Sequence, residues 1–396
     1  MRKRLRRIKK FWILKIKYPL YYRLCALWPI IPQKIVFVEN RFPQITNSFS
    51  LLYDMLSSQY NYQVSGSFLL EVDSTKRQYN KRCMKMIRNV ARAKCVFVND
   101  SSDVIGCLPF RKGTKVVQVW HACGAFKKWG FSNAKGRFGV NMKELLKYPY
   151  YANYDLVTVS SPEVAWAYAE AFNIPEPNDI VKATGVSRTD IFFQPDFKQS
   201  AFDRLYEVVP QARGKKIILY APTFRGSVGK AIAPSNLNQE LFCKRFQEEY
   251  VLLCKHHPSV RIRPSIRSGC ENTVFDVTET ITIEQLMCVS DICITDYSSV
   301  VFEYSLFERP IIIYAYDMAQ YADWRGFYYD FESFVPGPIV RNNQELLDCI
   351  ADIGEYDIDR VKVFKKTYMS SCDGQATQRI LKEVFGDTLC EMEKRA

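Results

Sequence analysis

The chain has 396 residues, 47% hydrophobic and 14% aromatic, with 17 Gly and 18 Pro; that is core material for two ordinary domains and excludes collagen-like and low-complexity classes. Its 13 Cys are odd in number and form no C-x-x-C pair, which argues for a reducing compartment and against a disulfide framework or thiolate zinc site. Lys and Arg total 55 against 42 Asp and Glu, but eleven of the basic residues precede the first acidic one, Glu39, so the nearly neutral body is not that of a nucleic-acid enzyme.

Residues 1–33 interleave those charges with Phe11, Trp12, Ile13, Leu14, Ile16, Tyr18 and Leu20. No stretch reaches the ~20 uncharged apolar residues that span a bilayer. The longest run ends in prolines without a small-residue cleavage site, so a signal peptide fits poorly. Basic residues mixed with aromatics suit a helix lying in the interface of an anionic membrane. The segment is therefore expected to be a peripheral anchor.

Beyond it, short β-branched runs alternate with helix-like stretches. In the first half they fall at 34–38, 64–72, 95–98, 115–119, 156–160 and 180–183. In the second half they fall at 216–220, 250–254, 274–277, 292–295 and 310–314. Such runs read as buried parallel strands of βαβ units. Two sets imply two doubly wound, Rossmann-like α/β domains, assigned to residues 34–205 and 206–396, with the polar stretch 194–214 as hinge. Functional loops of such domains lie at the carboxyl ends of the strands.

The only three His follow directly after expected strands: His121 in one segment, His256 and His257 in another. An imidazole there can take a proton from a hydroxyl or donate to phosphate. Of the adjacent pair His257 is preferred, because neighbouring residues of an extended chain point to opposite sides. After the run 216–220, Thr223 and Arg225 deliver a hydroxyl and a guanidinium suited to a diphosphate. After the run 292–295 come Asp296, Tyr297, Ser298 and Ser299, with a helix expected to begin beyond Ser298. Hydroxyls and amides at that start would cradle phosphate, with Glu303 on the same helical face. No dinucleotide or P-loop fingerprint, H-E-x-x-H or acidic cluster is present, so neither metal nor cofactor is expected.

Together these segments resemble the CDP-glycerol glycerophosphotransferase family, over about residues 34–385. The resemblance rests on Trp120-His121 with Lys127 and Lys128, the run Gly185-Val186-Ser187-Arg188-Thr189-Asp190, and Tyr220 to Arg225. It rests also on His257-Pro258, the run Thr295 to Ser299, and Arg325-Gly326-Phe327-Tyr328-Tyr329-Asp330. Where many members read Trp-His-Gly-Thr-Pro-Leu-Lys, this chain has one more residue before Lys127, and Glu303 stands where Asp is common.

The resemblance implies a GT-B fold and transfer of glycerol or ribitol phosphate from a CDP-alditol to a lipid-linked acceptor. CMP is released, in teichoic acid synthesis on the cytoplasmic face of the membrane. It implies His121 as the group acting on the acceptor hydroxyl and His257 at the donor phosphates. Thr223, Arg225, Ser298 and Ser299 would hold the pyrophosphate, and Glu303 and Asp296 the ribose or alditol. Lys127, Lys128 and Arg188 would hold the acceptor. A homo-oligomer is left open. The competing readings are a GT-B glycosyltransferase using a nucleotide sugar, and a membrane-attached module that binds an anionic polymer without turnover.

Overall fold

The computed structural model describes residues 2–134, 141–226, 231–318, 321 and 326–392. The chain forms two compact units: Met1–His121 with Lys128–Asp190 and Ser371–Ala396, and Ala122–Lys127 with Ile191–Ser370. The chain thus crosses between them four times. Every Cys whose side chain is described is free.

The first unit is built on a six-stranded parallel sheet of β1 (Ile31–Glu39), β2 (Gln63–Phe68), β3 (Ala93–Val98), β4 (Lys115–Gln118), β5 (Leu156–Thr158) and β6 (Val181–Lys182). Their order is β2-β1-β3-β4-β5-β6. Ile35, Val36, Phe37 and Val38 of β1 are all buried, as a strand covered on both faces requires. The order reverses between β1 and β3, so the loops after Glu39 and Val98 flank this sheet's switch point.

The second unit holds β7 (Lys216–Ala221), β8 (Tyr250–Cys254), β9 (Val274–Asp276), β10 (Ile292–Thr295), β11 (Ile311–Tyr314) and β12 (Ile339–Val340). Their order, β12-β11-β10-β7-β8-β9, is the dinucleotide-fold order 3-2-1-4-5-6 read from the other edge. The switch point lies between β7 and β10, and the loops that leave them carry Thr223, Arg225, Ser298 and Ser299. The pairs Ile292 with Ile218 and Thr295 with Ala221 fix the register that brings those loops side by side.

Eleven strands match the expected runs; the two-residue β12 was too short to leave a pattern. The expected division at 205/206 is corrected to Asp190/Ile191. The polar stretch taken as hinge contains a helix, Pro195–Val208, which buries Ala201 and Leu205 and packs on the second unit's helix Ile283–Val289. The expected second domain also loses its end. The helix Ala376–Phe385 returns to the first unit, where Ile380, Leu381, Val384 and Phe385 join the core around Phe37, Phe97 and Val117. Asp190 caps that helix, accepting from Ala376 N at 3.1 Å and Thr377 N at 2.6 Å. Gly185, at φ +84°, makes room for it, since a Cβ there would sit 2.1 Å from Ser371 O.

The N-terminal segment is likewise no separate element. It is helical from Arg2 to Cys25, with one wide π turn at Trp12–Lys17, and β1 begins at Ile31, inside the expected anchor. One face, Leu14, Tyr18 and Tyr22, is buried against the first unit. Tyr18 Oη donates to Asn80 at 3.1 Å, Tyr22 Oη accepts from Arg111 N at 3.3 Å, and Lys10 pairs with Glu144 at 2.9 Å. The opposite side exposes Ile8, Trp12, Ile16, Leu20 and Leu24 at intervals of four, together with Leu5, Phe11, Leu27 and Trp28.

A dispensable tail and a packed helix predict different outcomes on truncation. Tyr22 is 1% exposed, and Tyr22→Ala should cost about 3–5 kcal/mol, the range for emptying a large aromatic site. Removing residues 1–33 should lower the melting temperature further. A urea midpoint unchanged by Tyr22→Ala would show that the segment does not stabilise the fold.

Candidate active site

At the second unit's switch point one carboxylate braces both loops. Asp296 Oδ1 accepts from Thr223 N at 2.8 Å and from Tyr297 N at 2.6 Å, and Thr295 Oγ1 donates to Ala221 O at 2.7 Å just below. Arg225 fills the space above. Its Nε and Nη2 donate to the two oxygens of Asp317 at 2.6 and 2.9 Å, and Nη1 donates to Thr223 O at 2.7 Å. Nη1 also lies 2.9 Å from Asp296 Oδ2, an ion pair without hydrogen-bond alignment. Burial disfavours the guanidinium's charge, but Asp317 and Asp296 outweigh it and hold its pKa above the ordinary value. The rings of Tyr297, Tyr316 and Tyr321 enclose it at 5.2–5.4 Å.

Of the residues expected here, Thr223, Arg225 and Asp296 are therefore brought together. Arg225, expected at the pyrophosphate, pairs with two carboxylates. Asp296, expected at the ribose or alditol, is 2% exposed and braces the two loops. Thr223 Oγ1 is buried without a hydrogen-bond partner among the described residues. Ser298 and Ser299 are half-buried at the start of the six-residue helix Val300–Ser305, and Ser298 Oγ accepts from Val300 N at 3.3 Å. Glu303, expected at the ribose or alditol, is on that helix and 4% exposed. Arg325 lies outside the described residues.

The adjacent histidines divide as strand geometry requires. His256 is buried, its N–H donating to Thr278 Oγ1 at 2.9 Å, and burial lowers its pKa. His257 is exposed, with its ring 4.8 Å from Phe224, between Thr223 and Arg225 in sequence. Its Nδ1 accepts from Ser259 N at 3.0 Å. That bond requires an unprotonated Nδ1, so the neutral ring carries its proton on Nε2, as a donor.

His121 has the opposite arrangement. Its Nδ1 lies 2.8 Å from Asn99 O, which can only accept, so Nδ1 carries the proton and Nε2 keeps its lone pair. The ring has an exposed face, yet the dense protein around it lowers its pKa below 6.5 by desolvation; Asp100 and the Asn99 carbonyl oppose that shift, and Arg41 and Arg188 add to it. The imidazole is thus neutral and basic near pH 7. Preceding it, Trp120 adopts φ +55°, a strained conformation for a bulky residue that costs on the order of 1–3 kcal/mol. Gln118 Oε1 holds Trp120 N at 2.9 Å, and stacking on His121 at 4.4 Å and Trp129 at 5.8 Å fixes the indole.

Sequence reasoning missed the groups behind His121. Glu39 Oε2 accepts from Asn99 Nδ2 at 2.7 Å and Thr46 Oγ1 at 2.8 Å, and Asp100 pairs with Arg41 at 2.7 Å. It also missed Asp317 in the second unit. Glu39, Asn99, Asp100 and Asp317 are polar residues at or just past the end of a buried strand, the same signal that singled out the histidines. Of the expected acceptor residues, Arg188 Nη1 donates to His121 O at 2.6 Å, and Lys128 is half-buried in the first unit. Lys127 is not in that unit. The segment Ala122–Lys127 packs into the second, where Lys127 Nζ lies 5.5 Å from the Tyr321 ring.

Two Rossmann-type sheets, one with a basic histidine past a strand end and one with a polar, aromatic-walled switch point, define a nucleotide-dependent transferase of the GT-B kind. The family model of CDP-glycerol:poly(glycerophosphate) glycerophosphotransferase matches residues 20–386, and the chain belongs to that family. It is 34% identical to the teichoic acid ribitol-phosphate primase of Bacillus spizizenii, over 91% of this chain and 92% of that protein. It is 30% identical to the teichoic acid glycerol-phosphate primase of Bacillus subtilis, over 85% of this chain and 88% of that one. A variant of the wall teichoic acid polymerase TagF shares the fold with a TM-score of 0.77 at 24% identity, covering 98% of this chain and 97% of the solved one.

The lengthened segment after His121 depends on one small residue. Gly124 has φ +63°, and a Cβ there would lie 2.1–2.3 Å from the ring of Phe302. Gly124→Ala should destabilise the protein by about 1–3 kcal/mol, the usual cost of overpacking. Equal denaturation midpoints for variant and wild type would show that the segment is not seated against Phe302.

Proposed function

We propose that the protein transfers an alditol phosphate from a CDP-alditol to a hydroxyl of a lipid-linked teichoic acid acceptor, with release of CMP. The observation that carries this reading is the 3-2-1-4-5-6 sheet, with polar loops at its switch point, in a chain of the glycerophosphotransferase family. Identity to the ribitol-phosphate primase exceeds that to the glycerol-phosphate primase, which favours CDP-ribitol as the donor. Incubation with CDP-ribitol, CDP-glycerol and UDP-sugars, with CMP and UDP measured, tests it. UDP release from a nucleotide sugar would replace the reading.

In the reaction the acceptor oxygen forms a bond to the phosphorus that bears the alditol. The bond from that phosphorus to the bridging oxygen breaks, and CMP leaves with the electron pair. The hydroxyl proton passes to His121 Nε2. The Asn99 carbonyl supports this role, because it orients the ring and then stabilises the imidazolium. His257, with Nδ1 engaged by Ser259 N, carries its proton on Nε2, which suits a phosphate oxygen on which charge builds up.

His121→Ala should therefore lower kcat by about 10²–10⁴-fold, the usual contribution of a positioned base, while CDP-alditol still binds. Protonation removes the base, so wild-type kcat/KM should fall on the acid side, with the limb below pH 6.5 because the folded pKa is depressed. A folded variant retaining more than about a tenth of wild-type kcat would remove His121 from the chemistry.

The same reading puts the first unit on an anionic membrane surface through the exposed side of its N-terminal helix. Trp12 is 50% and Leu20 55% exposed, flanked by the basic run, so their apolar burial would add to lipid electrostatics of about 1 kcal/mol per Lys or Arg near the surface. The double variant Trp12→Glu, Leu20→Glu should melt like wild type yet fail to sediment with anionic vesicles. Added salt should weaken wild-type binding. Full sedimentation of the variant would exclude this face.

A further inference from the structure

The first sheet has a switch point of its own, and one cation there is only half engaged. The loops after β1 and β3 are tied to each other and to the strand ends. Asn40 Nδ2 donates to Ser101 O at 2.8 Å, and Glu39 Oε1 accepts from Arg41 N at 3.1 Å. From that anchored backbone the Arg41 side chain turns to Asp100, with Nε 2.7 Å from Oδ2. Its two Nη groups donate no hydrogen bond among the described residues, and the side chain is 53% exposed.

Arg225 is the contrast within this chain, because Asp317 and Thr223 O engage every nitrogen of its guanidinium. Arg41 keeps both Nη groups open, a fork that matches two oxygens of a phosphate. The segment that holds it also holds the base. Asn99 O fixes His121 Nδ1 at 2.8 Å and the next residue, Asp100, fixes Arg41, so imidazole and guanidinium stand on adjacent residues of one loop. The charge of Arg41 reaches the ring, where it helps to lower the imidazole's pKa.

We propose that Arg41 binds the phosphate of the acceptor's terminal alditol phosphate and so brings that unit's free hydroxyl to His121. The inference rests on the reading of the protein as a CDP-alditol transferase, and adds a residue to the acceptor set that family resemblance implies. In a chain of alditol phosphates one carbon chain joins the reacting hydroxyl to the nearest phosphate. A base and an anion site held by one loop therefore select a phosphorylated end over a bare alcohol. Asp100 serves the arrangement by fixing Nε, so the fork is directed before the acceptor arrives.

Steady-state kinetics on wild type, Arg41→Gln and Arg41→Lys, with a lipid-linked acceptor ending in an alditol phosphate, test it. The Gln variant should melt like wild type, since an exposed ion pair contributes little. Its acceptor KM should rise about tenfold or more, as expected for lost hydrogen bonds to a charged group, while the KM for the CDP-alditol stays unchanged. The Lys variant, a charge without the fork, should recover part of the loss. An unchanged acceptor KM in a folded Gln variant overturns the proposal, as does a rise confined to the donor KM. A second measurement needs no turnover: imidazole NMR signals, assignable among only three His, are followed during titration with glycerol 3-phosphate and with glycerol. The His121 signal should respond to the phosphate at concentrations about tenfold or more below those of glycerol, and the Gln variant should lose that difference. Equal responses in wild type, or none, overturn the proposal. If wild type releases no CMP from CDP-alditols, the functional reading falls, and Arg41 is judged by the titration alone.

Discussion

Asp296 holds the second unit's site together. It takes backbone N–H groups from the loops after β7 and β10, two segments 73 residues apart, and faces Arg225 with its remaining oxygen. Parallel strands bring such loops together only at the point where the strand order reverses, and there the backbone amides of both loops lack ladder partners. A single carboxylate satisfies two of them and sets the loops' spacing. Arg225, Asp317 and the three tyrosines are built on that base. The geometry costs the site positive charge, because the groups that shape it are largely neutralised by one another.

The two histidines show how identical side chains take different tasks. A carbonyl behind His121 leaves Nε2 as an acceptor, whereas an amide behind His257 leaves Nε2 as a donor. Neither assignment needs a charged partner in direct contact. Each is made by backbone that the strand ends already hold rigid, so the protonation pattern is as fixed as the fold.

The sequence made the strands legible because both sheets are parallel and buried, so each strand reads as an uninterrupted apolar run. His121, Thr223, Arg225 and Ser298 stood out for the related reason that they follow such runs. Other features had no local signal. The membership of Ala122–Lys127 in the second unit and of Ala376–Phe385 in the first comes from packing against Phe302 and Phe37, contacts distant in sequence. The pairing of Arg225 was hidden for the same reason, since Asp317 lies 92 residues away. Depth was hidden too: nothing in the local sequence shows that Asp296 and Glu303 lie buried, at 2% and 4% exposure.

The returning C-terminal helix carries a consequence for biogenesis. On the ribosome, residues 122–127 and 191–370 are all synthesised before residues 376–385, so the second unit's components are complete first. The first unit, although its sheet is made earlier, lacks the helix that covers Phe37, Phe97 and Val117 until then. Nascent chains will therefore carry an apolar sheet face covered only in part, by Phe49, Leu52 and Leu56, through the synthesis of nearly half the protein, the kind of surface that chaperones engage. The unit that begins first finishes last.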